Sequence, residues 1–321
     1  MIRFGVIGSG WIAEEFVKGA KLIDGFVFSA MYSRTYEKGK AFADKFGGTP
    51  IYTNIDEFAK SDIDAVYIAS PNSLHYSQSR LMLENGKHVL CEKPITETPE
   101  EIKELCLLAE EKNLVYTEAI MMLHLPQREM IKSKLRLLGK ITTAHFDFSQ
   151  LSSKYAALCH GEIPNIFNPK MKTGCLRDLG IYCYYPAIDF FGVPEKIISS
   201  AGFLCTGSDG YGTAILDYPD KQITLTYSKI GQDYRGSEII GDNGTMTIGS
   251  ISKLTDISVH FENGKEEQLV GEIEKHILMS YEAKNFCDYI NGNRKNLDEN
   301  NNIILKVSEA MMNVKIQCEC N

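Results

Sequence analysis

Apolar segments alternate with amphipathic ones through the first third of the chain. After the first apolar segment, Ile12, Phe16 and Ala20 are spaced four apart, which predicts a helix with one buried face. Strands separated by helices of this length predict a parallel sheet with right-handed crossovers. The predicted strands of this region are Arg3–Ile7, Phe26–Tyr32, Ala65–Ala69 and His88–Cys91.

The periodicity changes after about residue 120, where segments with a period of two follow one another. Asp242-Asn243-Gly244 predicts a tight hairpin, because Asn-Gly tolerates positive φ. Two late helices are predicted around Ile277–Ile290 and Asn301–Ile316. The pattern predicts two domains, a doubly wound parallel α/β domain over residues 1–120 and a C-terminal α+β domain with a mostly antiparallel open sheet over residues 121–321.

Composition narrows the classes of partner. A net charge of −8 argues against a nucleic-acid surface, and no apolar run reaches the ~20 residues of a membrane span. The nine cysteines are odd in number and irregularly spaced, and no signal peptide opens the chain, so we expect a cytoplasmic protein. Cys318 and Cys320 have no matching second pair, and we expect no metal site.

Gly8-Ser9-Gly10-Trp11-Ile12-Ala13 fits the pattern G-x-G-x-x-G/A between the first strand and the first helix. In this pattern the first glycine permits a tight turn, the second lets the backbone approach a pyrophosphate, and the small last residue lets helix and strand pack closely. An ordinary glycine turn is the alternative interpretation. Its position between a strand and a helix favours a Rossmann dinucleotide site at the helix N-terminus.

The end of the second predicted strand indicates which dinucleotide binds. An NAD site usually has an acidic residue there, whereas this strand ends in Ser33 and Arg34, with Lys38 one turn further on. These side chains suit a ribose 2′-phosphate, so we predict NADP. Glu37 keeps NAD possible, and solvated surface charges are the alternative interpretation of Arg34 and Lys38.

A third motif, Cys91-Glu92-Lys93-Pro94, follows a buried strand. A lysine at the carboxyl end of a parallel strand lies where such folds bind ligands, although a strand-end surface lysine is the commoner case. The surrounding motifs are Ala69-Ser70-Pro71-Asn72-Ser73-Leu74-His75, Thr117-Glu118-Ala119 and Gly174-Cys175-Leu176-Arg177-Asp178-Leu179-Gly180-Ile181-Tyr182. Together they resemble the glucose–fructose oxidoreductase and inositol dehydrogenase (Gfo/Idh/MocA) family over essentially the whole chain. The resemblance is closest to its dimeric dihydrodiol dehydrogenases and NADP-dependent xylose dehydrogenases.

The resemblance implies a catalytic group of Lys93, Asp178 and Tyr182, with the chemistry between the two domains. Asp178 and Tyr182 are four apart and would share a helix face. Both Lys93 and Tyr182 stay open as the group that transfers the proton, and a core helix with Tyr184 and Tyr185 is the alternative interpretation of Tyr182. The residues expected at the cofactor are Gly8, Gly10, Trp11, Ile12, Ser33, Arg34, Lys38, Ser70, Asn72, His75, Glu92, Lys93 and Glu118.

Three positions depart from the family pattern. Leu123 and Phe167 stand at or near positions where relatives often carry arginine, and Thr173 replaces the first glycine of a pair. The loss of these cations argues against an acidic substrate. His124 and His160 are weaker candidates for contact with ligand, and a structural role is an equal interpretation of His124.

The resemblance implies an NADP-dependent oxidoreductase acting on CH–OH groups of a sugar, polyol or cyclic diol. The alternatives are a reductase of a conjugated double bond and a non-catalytic NADP-sensing regulator, which would not need Lys93. We also expect a homodimer or homotetramer through the open face of the C-terminal sheet.

Overall fold

The computed structural model describes residues 1–319, so Cys320 lies outside the described residues. The chain forms two units, the first comprising residues 1–124 and 274–302 and the second residues 125–273 with the described residues from 303 onward. The strands are β1 Ile2–Ile7, β2 Phe26–Tyr32, β3 Ile51–Tyr52, β4 Ala65–Ile68, β5 His88–Glu92, β6 Tyr116–Ala119, β7 Ile141–Ser149, β8 Lys196–Phe203, β9 Asp209–Tyr218, β10 Lys221–Ser228, β11 Ser237–Gly241, β12 Gly244–Ser250, β13 Thr255–Phe261 and β14 Glu266–Val270.

The α-helices are α1 Trp11–Ala20, α2 Tyr36–Ala43, α3 Ile55–Ala59, α4 His75–Glu84, α5 Pro99–Glu111, α6 Pro126–Lys134, α7 Tyr155–Cys159, α8 Ile181–Phe191, α9 Lys275–Ile290 and α10 Leu297–Glu319. Short 3₁₀ segments lie at Asp44–Phe46, Asn72–Leu74, Met121–His124, Leu135–Leu138, Asn165–Phe167 and Pro169–Met171, and a π-helical turn at Leu176–Gly180. Among the described residues, none of these helices is both long and apolar enough to cross a membrane.

The first unit contains a six-stranded parallel sheet in the order β3-β2-β1-β4-β5-β6. All four residues of β4 are buried, as expected when helices cover both faces of a parallel sheet. Phe16 of α1 stacks on Tyr67 of β4 with ring centroids 3.8 Å apart, and burying such a side chain contributes about 1.5–3 kcal/mol. The sheet order reverses between β1 and β4, which is where doubly wound sheets bind ligands.

Helix α9 belongs to the first unit although it lies late in the sequence. A Cβ at Gly19 of α1 would stand 2.6 Å from the carbonyl oxygen of His276 and 2.9 Å from the backbone nitrogen of Ser280, so the two helices approach closely. The division predicted near residue 120 lies close to the observed break after His124. It did not anticipate that residues 274–302 return to the first unit, because an amphipathic pattern does not reveal which surface a helix covers.

The second unit contains an eight-stranded sheet in the order β14-β13-β12-β11-β7-β10-β9-β8. Its strands pair antiparallel except for β7 and β10, which are parallel. The predicted Asp242-Asn243-Gly244 hairpin joins β11 to β12, with Ile240 opposite Thr245. One face is buried, with Phe146 and Leu225 fully covered, and helix α8 packs on this side against β7 and β10.

A buried ion pair ties helix α6 to helix α8. Arg128 donates two hydrogen bonds to the Asp189 carboxylate, at 2.7 and 2.6 Å, and Lys132 lies 2.8 Å from the same carboxylate. The side chains of Arg128 and Asp189 are buried, at 3% and 0% exposed. Because the Asp189 carboxylate is paired with both cations, it fixes helix α8, which follows the predicted Asp178 block.

Candidate active site

The glycine turn after β1 has the geometry that a dinucleotide requires. Gly8 has φ of +107°, and a Cβ there would overlap the carbonyl oxygen of Ala69. Gly10 is the N-cap of α1, and a Cβ there would meet no atom within 4 Å. Ala13 is 0% exposed, as close helix–strand packing demands. The turn therefore presents open backbone at a helix N-terminus, which attracts phosphate.

Two alanine substitutions separate the fold of this turn from its function. We expect Gly8→Ala to lower the free energy of unfolding by about 2 kcal/mol or more, because the side chain meets both positive φ and backbone. Gly10→Ala should leave stability within about 0.5 kcal/mol. It should nevertheless weaken dinucleotide binding about tenfold or more, because the methyl group stands where the pyrophosphate must approach. Urea unfolding measures stability, and fluorescence titration measures dinucleotide binding. Normal binding by Gly10→Ala would contradict the placement of the pyrophosphate at Gly10.

A cavity of about 410 Å³ opens beside the turn. Among the predicted cofactor residues, Gly8, Ser33, Arg34, Lys38 and Ser70 line it. The sequence analysis did not assign to the cofactor its other lining residues, which are Ile7, Ser9, Tyr32, Thr35, Ala69, Pro71, Leu74 and Gln78. The signals for them were the glycine motif, which contains Ser9, the motif after β4, which contains Ala69, Pro71 and Leu74, and the four-residue spacing of Leu74 and Gln78.

The other predicted cofactor residues lie in the first unit but outside the lining of this cavity. These are Gly10, Trp11, Ile12, Asn72, His75, Glu92, Lys93 and Glu118. Trp11 begins α1 and is 67% exposed, and the Lys275 ammonium of α9 lies 5.9 Å from its ring centre. Their contact with a dinucleotide stays a prediction.

His75 joins two loops of the first unit. Its Nδ1 lies 2.8 Å from the carbonyl oxygen of Pro94 and its Nε2 2.9 Å from that of Ser70. Burial lowers the pKa of His75, although both carbonyl contacts oppose this, so at neutral pH the ring is uncharged and donates to one carbonyl. The residue is 1% exposed and links the loop that contains Ser70 to the loop that contains Lys93 and Pro94.

Two carboxylates hold the backbone around Lys93. Glu92 accepts a hydrogen bond from the Tyr67 hydroxyl and another, at 3.3 Å, from the backbone nitrogen of Lys93. Glu118 accepts from the backbone nitrogen of Ile95 at 2.6 Å. Lys93 is partly buried directly after β5, and its peptide bond to Pro94 is cis. The loop that carries Lys93 is thus fixed from both neighbouring strands, β4 and β6.

Glu282 of α9 is a buried acid that the sequence did not single out. It is 0% exposed, and neither carboxyl oxygen has a hydrogen-bond partner among the described residues. Burial raises the pKa of Glu282 well above its ordinary value; the charges of Glu92 and Glu118 raise it further, and that of Lys275 opposes them. Burial thus favours the neutral form of this acid, which lies close enough to Glu92, Glu118 and Lys275 for their charges to affect its pKa.

Replacing this acid should make stability less dependent on pH. A carboxyl whose pKa is raised by folding destabilises the protein progressively as pH rises above the unfolded pKa of about 4.3. We expect the free energy of unfolding of Glu282→Gln, relative to that of the unmodified protein, to increase as pH rises from about 5 to about 8. The increase should be at most about 1.4 kcal/mol for each pH unit and should stop at the raised pKa. Urea unfolding at both pH values measures this. The exposed Glu111→Gln serves as control. A stability difference between Glu282→Gln and the unmodified protein that is the same at both pH values would contradict the raised pKa of Glu282.

Asp178 and Tyr182 lie at the start of a helix in the second unit. Asp178 is in the π-helical turn Leu176–Gly180, which continues into α8, where Tyr182 is the second residue. Asp178 and Tyr182 are therefore separated by slightly less than one turn of a π-helix. Such turns are frequent at functional sites. Tyr182 is partly buried, its ring edge-on to Phe148 with centroids 5.2 Å apart, whereas Tyr184 and Tyr185 are fully buried core residues.

Lys229 is a residue that sequence reasoning missed. It follows β10 directly, and its ammonium lies 3.0 Å from Oδ2 of Asp178. Its side chain is 1% exposed and lies over the ring of Phe167, 5.8 Å from the ring centre. Leu123 and Phe167 still lack the arginines that relatives often carry, but Lys229 places a cation beside Asp178 and over the Phe167 ring. The position of Lys229 after a strand, like that of Lys93, was the only signal.

The remaining candidates make contacts within their own units. Leu123 is 4% exposed in the core, and His124 contacts the Asn285 amide of α9 at 3.2 Å. His160 is exposed directly after α7, and its ring contacts the carbonyl oxygen of Ala156 in that helix. Thr173 donates to the carbonyl oxygens of the Asn165–Asn168 segment.

Comparison with known proteins gives this geometry a context. The family model described as "Oxidoreductase family, NAD-binding Rossmann fold" (GFO_IDH_MocA) matches residues 2–120. The scyllo-inositol 2-dehydrogenase (NADP(+)) of Bacillus subtilis is 37% identical over 301 residues, covering 94% of this chain and 92% of that protein. The chain belongs to the Gfo/Idh/MocA family of oxidoreductases.

A further relative and a solved structure are also similar to this chain. Trans-1,2-dihydrobenzene-1,2-diol dehydrogenase of Xenopus tropicalis is 28% identical, covering 83% of this chain and 80% of that protein. The structure of a 3-ketoreductase from Actinomadura kijaniata with NADP and TDP-benzene has a TM-score of 0.85 at 22% identity, covering 99% and 98% of the two chains. The predicted α/β class, the Gfo/Idh/MocA resemblance and the oxidoreductase class are confirmed. The roles of Lys93, Asp178 and Tyr182 stay predictions.

Proposed function

We propose that this protein is an NADP-dependent dehydrogenase that transfers a hydride between NADP(H) and a carbinol carbon of a sugar, polyol or cyclic diol. The cavity beside the glycine turn carries this proposal. Ser33, Arg34 and Thr35, which follow β2, and Lys38 of α2 line it, and none of its described lining residues is acidic. Two cations and two hydroxyls suit a ribose 2′-phosphate better than a 2′-hydroxyl.

The residues present fit the dinucleotide. Gly8 and Gly10 leave the helix N-terminus open to a pyrophosphate, and the exposed Arg34 and Lys38 line the cavity beside the glycine turn. The B. subtilis relative is NADP-dependent by name, which supports the same cofactor here. Bound NADP+ would supply a hydride acceptor at its nicotinamide ring.

The protein's own residues handle the proton. Oxidation of a carbinol removes a hydride from carbon and a proton from oxygen as the C=O bond forms. In our proposal Tyr182 accepts that proton, Lys93 stabilises the phenolate and positions the oxygen, and Asp178 orients the substrate. Lys93 itself, rather than Tyr182, is the other candidate acceptor. The fixed backbone around Lys93, held by Glu92 and Glu118, suits a group that must be held in place for reaction.

Two relatives point to the substrate class. One is named for scyllo-inositol and the other for a cyclic trans-diol, and both names describe ring-borne hydroxyl groups. We propose that this protein also takes a cyclic compound with adjacent hydroxyls.

The test is a panel of inositols, pyranoses, acyclic polyols and cyclic diols, each incubated with NADP+ and separately with NAD+. The proposal expects absorbance of reduced nicotinamide with at least one cyclic member, at higher kcat/KM for NADP+ than for NAD+. Absence of reduction with every member, while NADP+ binds, would contradict the proposed reaction and favour a sensing role. A preference for NAD+ would contradict the cofactor assignment alone.

We also propose a dimer or tetramer through the open face of the eight-stranded sheet, in a reducing compartment such as the cytoplasm. Ile198 of β8 and Tyr211 of β9 are 49% and 51% exposed on this sheet, and such apolar side chains favour a face that a second subunit covers. Sedimentation as a monomer at micromolar concentration would contradict the assembly.

Buried free thiols such as Cys175 and Cys183 suit a reducing compartment.

A further inference from the structure

Lys229 is an unusual residue for its surroundings. Its side chain is among the largest fully buried ones, yet it ends in an ammonium group. That group lies 3.0 Å from Oδ2 of Asp178 and donates to the carbonyl oxygen of Ile166 at 3.2 Å. The backbone is also fixed, since the Lys229 nitrogen donates to Gly210 and its carbonyl accepts from Ser152, both at 2.9 Å.

The ion pair is asymmetric. The Lys229 side chain is 1% exposed, whereas that of Asp178 is 31% exposed. The cation therefore lies behind the carboxylate, and the carboxylate faces outward. A buried ion pair is weak evidence for a gain in stability, because an apolar pair of similar volume is often as stable. An oriented, outward-facing carboxylate is instead what a substrate hydroxyl needs as an acceptor.

A second acid fixes the same turn independently. Asp209 accepts a hydrogen bond from the backbone nitrogen of Leu176 at 2.6 Å, and a Cβ at Gly174 would overlap its carboxylate. Burial raises the pKa of Asp209; the Leu176 hydrogen bond and the Lys229 charge oppose this. The backbone of the π turn is thus held by Asp209, which leaves Lys229 to act on the Asp178 side chain.

We propose that Lys229 is a positioning residue for the reaction: it holds Asp178 ionised through Oδ2, so that this carboxylate orients a substrate hydroxyl group. This inference rests on the proposed function. It also names the substrate feature that the pair recognises, which is a neutral hydroxyl group, because the ammonium offsets the charge of the carboxylate. A deoxy analogue lacking that hydroxyl would leave the oriented carboxylate without its partner.

The test compares Lys229→Met with the unmodified protein on the best substrate of the panel. We expect NADP+ affinity to be unchanged, kcat/KM to fall about ten- to a hundredfold, and the acid limb of its pH profile to move up by about one pH unit or more. Lys134→Met, which removes a lysine paired with Glu267 at the surface of the same unit, should change neither. An unchanged acid limb for Lys229→Met would overturn the inference.

A double-mutant cycle tests whether Lys229 acts through Asp178. Lys229→Met added to Asp178→Asn should cost less than about twofold beyond Asp178→Asn alone, because the shared interaction is already lost. Independent, multiplying losses would overturn the inference.

A titration covers the cases in which Lys229→Met does not fold or no panel member is turned over. The Asp178 carboxyl carbon in the unmodified protein, assigned by NMR with the aid of Asp178→Asn, should titrate below the ordinary Asp midpoint of about 3.9. A midpoint at or above that value would overturn the inference. Because this readout needs no turnover, failure of the proposed function and failure of the Lys229 inference are distinguishable.

Discussion

Lys93→Met should bind NADP+ normally and lose about 10²- to 10⁴-fold in kcat. Methionine keeps the length and apolar stem of lysine but removes the ammonium that, in our proposal, moves or assists the proton. The loop should keep its shape, because the backbone nitrogen of residue 93 still donates to Glu92 and that of Ile95 to Glu118. Steady-state kinetics on the best panel substrate and fluorescence titration with NADP+ measure the two quantities.

Lys87→Met is the matched control for Lys93→Met. Lys87 immediately precedes β5, at the opposite end of the strand from Lys93, and donates to the carbonyl oxygens of Ser61 and Ile63 at 2.9 and 2.8 Å. Its loss should lower stability by about 1–3 kcal/mol without changing kcat, because it leaves two carbonyls without their donor. Turnover of Lys93→Met within about twofold of the unmodified protein would remove Lys93 from the catalytic group.

Arg34→Ala should raise KM for NADP+ by about ten- to a hundredfold while changing KM for NAD+ little. In our proposal the Arg34 guanidinium donates to the 2′-phosphate, which NAD+ lacks, so only one cofactor loses the interaction. The expected size is that of one or two hydrogen bonds to a charged group at an exposed rim. Initial rates with both cofactors at saturating substrate measure the change.

Lys40→Ala controls for a general loss of positive charge on α2. Lys40 lies on the same helix as Lys38 and pairs with Asp44 at 2.7 Å, and it does not line the cavity. It should leave the ratio of the two KM values unchanged. An equal rise in both KM values for Arg34→Ala would indicate a role for Arg34 other than recognition of the 2′-phosphate.

Local signals explain why much of the fold was predictable from sequence. The Thr98-Pro99-Glu100-Glu101 capping box forms as its residues indicate, with Thr98 accepting from the Glu101 nitrogen at 3.3 Å and Glu101 accepting from the Thr98 nitrogen at 3.2 Å. The Asn243-Gly244 hairpin and the Gly8 turn are equally local, because each is dictated by backbone conformations that few residues adopt.

The unpredicted features depend on contacts between distant residues. Lys229 directly follows a strand, a position typical of an exposed lysine. Only its approach to Asp178, 51 positions earlier in the sequence, shows that it is a buried partner. Glu282 stands on an amphipathic helix whose partner surface the sequence does not specify. Side chains such as these are placed by the fold as a whole, and sequence periodicity describes only the segment that contains them.

The central claim is hydride transfer between a carbinol carbon and NADP, and isotope transfer tests it most directly. The best panel substrate, deuterated at its carbinol carbons, is oxidised with NADP+, and the NADPH formed is examined by NMR. Our account predicts deuterium at C4 of the reduced nicotinamide, in proportion to the substrate oxidised. Oxidised substrate accompanied by NADPH that carries only protium at C4 would contradict it.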